Sequence, residues 1–84
     1  MTESMNKALS VANKFNSASG FKVTSLKNCS ENVVLLKVDI DLPWKQDRND
    51  KIDTITLKFV NGELHLSIYE LPIQTLTHIL EVLK

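Results

Sequence analysis

Ile52-Asp53-Thr54-Ile55-Thr56-Leu57-Lys58-Phe59-Val60, then Asn61-Gly62, then Glu63-Leu64-His65-Leu66-Ser67-Ile68-Tyr69 is the stretch that decides the fold. Two alternating runs flank an Asn-Gly pair. Asn-Gly is the preferred centre of a type I′ turn, in which both central residues have positive φ. A two-residue loop sets the register. Val60 then faces Glu63, Phe59 faces Leu64, Leu57 faces Leu66 and Ile55 faces Ile68. The last three pairs are apolar and share one face. Lys58 with His65, Thr56 with Ser67 and Thr54 with Tyr69 share the other. A slip of one residue would scramble both faces, so turn and pattern agree. An isolated hairpin is marginal in water and needs more strands or a helix on its apolar side.

The flanking sequence supplies both. Residues 3–18 place Met5, Ala8, Leu9, Ala12 and Phe15 at helical spacing, with Val11 widening the stripe. Thr2 or Ser4 suits the N-cap, and Gly20 suits a left-handed position at the C-terminal end. Residues 21–27 read as a strand with Phe21, Val23 and Ser25 on one face, followed by a turn-rich loop at 28–32. Val33 to Ile40 is the most apolar strand. Val34, Leu36, Val38 and Ile40 form one face, and Val33, Leu35, Lys37 and Asp39 the other. Residues 72–83 read as a second helix opened by Pro72, with Ile73, Leu76, Ile79, Leu80 and Leu83 in one arc and His78 outside it. The expected fold is α+β: an N-terminal helix, a four-stranded antiparallel sheet and a C-terminal helix, with both helices on one sheet face. Its 84 residues form a single domain, 1–84. A domain of this size buries only about 60–65% of its unfolded surface, so modest stability is expected.

Formal net charge is zero, which removes the usual electrostatic footprint of a nucleic-acid binder. The distribution is uneven. Residues 1–38 carry five lysines against Glu3 and Glu31, while residues 39–53 carry five aspartates against Lys45, Arg48 and Lys51. The lone Cys29 excludes an internal disulfide. No basic start with a continuous apolar core opens the chain, and no apolar run approaches membrane-spanning length, so the chain reads as cytoplasmic and free of membrane contact.

Chemical motifs are sparse. Cys29 has no His beside it in sequence and no nucleophile-elbow context, so no catalytic residue is assigned and an enzyme is not expected. Asp39, Asp41, Asp47, Asp50 and Asp53 cluster, but they lack the spacing and the glycine of a calcium loop, and the interleaved cations oppose a metal. One Cys and two His fall short of a zinc site. Gly20 and Gly62 both have turn explanations, so no phosphate cradle and no cofactor are implied.

Recognition of a macromolecule is the remaining reading. Trp44, in the long 41–50 connection, is either an interface anchor or a lid folded back over an open end of the core. With Asp39, Asp41, Asp47, Arg48, Asp50 and Asp53 it forms the expected partner-binding segment of a small non-enzymatic protein that occludes a surface on a protein target. Neutral, motif-free chains of this length are common among antagonists made by phages and mobile elements, anti-CRISPR-type inhibitors included, and among immunity proteins. That analogy is one of size and style. The alternative is a nucleic-acid-associated module using Lys22, Lys37, Lys58, His65 and Tyr69 on the outward sheet face. A structural subunit of a larger assembly is a further alternative. The 63–69 run lacks Pro, Lys and an obvious bulge, so as an outer strand it offers its backbone to a second copy or to a foreign sheet.

Overall fold

The structure, a computed structural model, describes residues 2–41, 53–67 and 71–84. Helix α1 (Glu3–Ser17) is followed by strands β1 (Phe21–Ser30), β2 (Val33–Ile40), β3 (Asp53–Val60) and β4 (Glu63–Ser67), and then by helix α2 (Ile73–Leu83). The strands form one open antiparallel sheet in the order β1-β2-β3-β4, and both helices lie on its apolar face.

The Asn61-Gly62 turn behaves as its sequence dictates. Asn61 and Gly62 have φ of 51° and 81°. Val60, Phe59, Leu57, Lys58 and Thr56 pair with Glu63, Leu64, Leu66, His65 and Ser67 respectively. The pairs Ile55–Ile68 and Thr54–Tyr69 fall outside the described residues.

β1 departs from the expected reading. It continues to Ser30, so the 28–32 loop shrinks to a two-residue turn at Glu31-Asn32. Its register with β2 shifts at Thr24 and again at Cys29, each an extra residue bulged out of the ladder. After the first bulge the faces exchange. Phe21, Val23 and Leu26 point into the core, while Lys22, Ser25 and Lys27 lie on the outer face opposite Asp39, Lys37 and Leu35. Ser25 is therefore not on the apolar face.

The core is a single layer between sheet and helices. Val34, Leu36, Val38, Ile40, Leu57 and Phe59 of the sheet are fully buried, with Ala8, Phe15 and Ile79 of the helices. Each fully buried aliphatic or aromatic side chain of this kind contributes about 1.5–3 kcal/mol. α1 grips by shape. Ala8 and Ala12 let its backbone approach the sheet, and Phe15 meets the Phe21 ring at 5.2 Å.

Ser4 fixes the start of α1. The Thr2 hydroxyl is the N-cap, accepting from Met5 N–H at 3.2 Å. The buried Ser4 hydroxyl donates to the Asn32 carbonyl (2.7 Å) and accepts from Gly62 N–H (2.9 Å), while Ser4 N–H donates to Asn32 Oδ1 (2.9 Å). Asn61 N–H donates to the same Asn32 carbonyl at 3.0 Å. One helix turn thus ties together both hairpin turns. The approach is close enough that a Cβ on Gly62 would lie 2.6 Å from the Glu3 carboxyl carbon. At the other end α1 stops at Ala18, whose backbone is extended. Gly20, φ 89°, is the left-handed residue of the turn into β1 rather than of the helix cap.

Candidate functional site

The segment expected to bind a partner is only partly described. Trp44, Asp47, Arg48 and Asp50 lie outside the described residues, and Asp53 is placed through its backbone, opposite Ile40. Asp39 faces Lys22 on one side and accepts a 2.7 Å hydrogen bond from the Thr54 hydroxyl on the other. Asp41 is exposed, and its N–H closes onto the Gly20 carbonyl at 2.9 Å. Gly20, Phe21, Lys22, Asp39 and Asp41 line a shallow hollow at that end of the sheet. Asp39 is thus half-buried and partnered within the sheet.

The outward sheet face gathers the basic residues named from parity, apart from Tyr69, which is outside the described residues. Cross-strand registers place Lys27, Leu35, Lys58 and His65 in one row and Ser25, Lys37, Thr56 and Ser67 in the next. Lys22, Asp39 and Thr54 follow. The Lys27 side chain arrives there because of the Thr24 bulge. The signal for it was present in the sequence: Phe21 and Val23 share one parity and the next apolar residue, Leu26, has the other. All four lysines and His65 are exposed, and Val33, Leu35 and Val60 form a half-buried aliphatic strip among them. His65 Nε2 lies 3.3 Å from the Glu63 carboxylate on the same strand.

The two edges of the sheet differ. Along β1 two bulges break the ladder, Lys22 and Lys27 project from the strand, and the Asn16 side chain takes the Val23 N–H at 3.3 Å. These are recognised ways of closing an edge to pairing. Among the described residues β4 has none of them. Among the described residues no strand lies on its far side, and its inward Leu64 and Leu66 are only half-buried.

α2 is rotated from the orientation its apolar arc implies. At about 100° per residue that arc centres on Leu76. The helix instead buries Thr75 and Ile79, packs Val82 and Leu83 on the core, and stacks the His78 ring on Phe21 with centroids 5.9 Å apart. In this orientation the imidazole lies nearly parallel to the Phe21 ring, 22° between planes. His78 is consequently half-buried rather than solvated. The other edge of the apolar arc faces out, with Ile73 76% and Leu80 51% exposed and Leu76 half-buried between them. Pro72 precedes the helix at its N-cap, and Lys14 ties the far end by donating to the Lys84 carbonyl at 3.1 Å.

Cys29 is exposed at the hairpin-turn end of the sheet, whereas His78 stacks on Phe21 at the opposite end. The structure does not bring them together. Among the described residues no three His, Cys, Asp or Glu side chains are grouped to hold a metal ion, and no helix is long and apolar enough to cross a membrane. No family model, curated protein or solved structure matches the chain.

Proposed function

We propose that the chain is a non-enzymatic binding protein that docks α2 into an apolar groove on another protein. The observation that carries this reading is the outward half of α2. Ile73, Leu76 and Leu80 recur at i, i+3 and i+7, the spacing with which an amphipathic helix anchors in a groove. A helix whose only task was to roof the core would turn these side chains inward, because two exposed aliphatic residues forgo about 1.5–3 kcal/mol each of burial. Occlusion of a target surface remains the mechanism proposed, with α2 rather than the Trp44 segment as its anchor.

The test places a photoreactive side chain at position 73 and irradiates living host cells. The expected result is one dominant protein adduct that is lost when Leu80→Asp is added, with the fold intact by circular dichroism. Absence of any adduct, or a spread of adducts indifferent to Leu80→Asp, would overturn the reading.

One observation favours a second reading, binding of nucleic acid on the sheet. Lys22, Lys27, Lys37, Lys58 and His65 share one exposed face. Binding of short oligonucleotides that weakens with salt and is lost in Lys27→Glu with Lys58→Glu is its expected signature.

A further inference from the structure

We infer that β4 is a self-association edge and pairs antiparallel with β4 of a second copy, about a two-fold axis through His65. This surface is separate from the outward side of α2.

The hairpin limits the register. A two-residue I′ loop closes on a hydrogen-bonded pair, here Val60 and Glu63, and such pairs alternate along an antiparallel ladder. Glu63, His65 and Ser67 therefore direct N–H and C=O toward β3. Leu64 and Leu66 direct theirs to the open edge. Antiparallel pairing joins outward-directed residues to outward-directed residues, which allows two-fold registers centred on Leu64, His65 or Leu66. The register centred on His65 overlaps the whole of Glu63–Ser67, and in it Leu64 pairs with Leu66 of the second copy, and the reverse. His65 then falls opposite itself in the intervening non-hydrogen-bonded pair.

The side chains fit that register. On the inner face the half-buried Leu64 and Leu66 cover one another across the axis, an apolar cross-strand pair on each side. On the outer face Glu63 falls opposite Ser67 and diagonal to the second copy's His65, while it already lies 3.3 Å from its own. Each Glu63 thus lies diagonal to an imidazole of the other copy, and no two carboxylates meet. β1 cannot make the equivalent contact, because its bulges and the Asn16 side chain interrupt its outward row. A second copy is favoured over a foreign strand because the register that overlaps the whole of β4 sets Leu64 against Leu66 and Glu63 beside the second copy's His65. The interface is small, so a weak dimer is expected.

The test is disulfide trapping in the full chain with Cys29→Ser, because Cys29 is exposed. In the proposed register His65→Cys places two thiols in a pair whose Cα atoms are about 4.5 Å apart, within disulfide reach. Glu63→Cys is the control, since its Cα atoms lie about 14 Å apart across the axis. Both positions are exposed, and circular dichroism checks the fold. The expected result is a covalent dimer from His65→Cys and little from Glu63→Cys. Sedimentation of the parent should show a monomer–dimer equilibrium between micromolar and millimolar concentration, weakened about tenfold by His65→Lys, which sets like charges directly opposite. A parent that stays monomeric throughout overturns the inference. So does cross-linking that is equal at the two positions, or a parent dimer that neither trapping nor His65→Lys affects. Ile73→Asp with Leu80→Asp should leave the trapping unchanged, which separates this edge from the α2 reading.

Discussion

The β1 side and the β4 side of the sheet are built from similar material and finished differently. On the β1 side, Phe21 packs between Phe15 and His78, two bulges twist the strand, and Asn16 takes an edge N–H. On the β4 side, α1 makes no comparable cover. Leu64 and Leu66 stay half-buried, and the outer backbone row is continuous. Edge protection costs local regularity of the ladder. Among the described residues one edge is protected in three ways and the other is plain, and the proposed self-association rests on that contrast.

The contrast can be broken first at its strongest point. Phe21→Ala should destabilise the domain by about 3–5 kcal/mol, because it empties the contact shared by both helices. Urea unfolding measures it, and a loss below 1 kcal/mol would mean that the β1 side is not the anchored one. Ser4→Ala comes next, at about 1–3 kcal/mol, since it leaves the buried Gly62 N–H without its partner and removes one donor from the Asn32 carbonyl. Ser4→Thr tests the same hydroxyl with added bulk, and should lose less if the hydrogen bonds dominate. Leu66→Ala, on the open side, should cost only about 1 kcal/mol in dilute solution. Its larger effect should appear as lost self-association at high concentration. The smallest change is Ile73→Asp, within about 0.5 kcal/mol of the parent, because a side chain 76% exposed contributes little to folding. A markedly larger loss would place Ile73 in a folded contact and remove it from the docking surface.

Much of the architecture could be read from residues alone, and the failures have specific causes. Asn61-Gly62 fixed one hairpin to the residue, because an I′ turn leaves a single register for the alternating runs beside it. β1 was misread beyond Val23 because a bulge costs nothing in composition; it shows only as the change of apolar parity between Val23 and Leu26. Lys27 was missed as an outward cation for the same reason. The stripe of α2 was recognised, but its rotation was not. Periodicity says which residues share an arc, whereas the packing partners say how much of that arc is used, and here they include α1 and the Phe21 ring. Ser4 stood inside the apolar stripe of α1 as a polar exception, yet its partners Asn32 and Gly62 are far away in sequence. Trp44, Asp47, Arg48 and Asp50 are outside the described residues, so nothing in the fold bears on the binding role expected of them.

Hydrogen exchange at the amides of Leu64 and Leu66, followed by NMR as the protein is diluted, tests the open edge most directly. At high concentration both amides should be protected by the second copy, and dilution should release them together while Leu57, inside the sheet, stays protected. Fast exchange at Leu64 and Leu66 at every concentration, or protection that dilution never removes, would contradict β4 as the self-association edge.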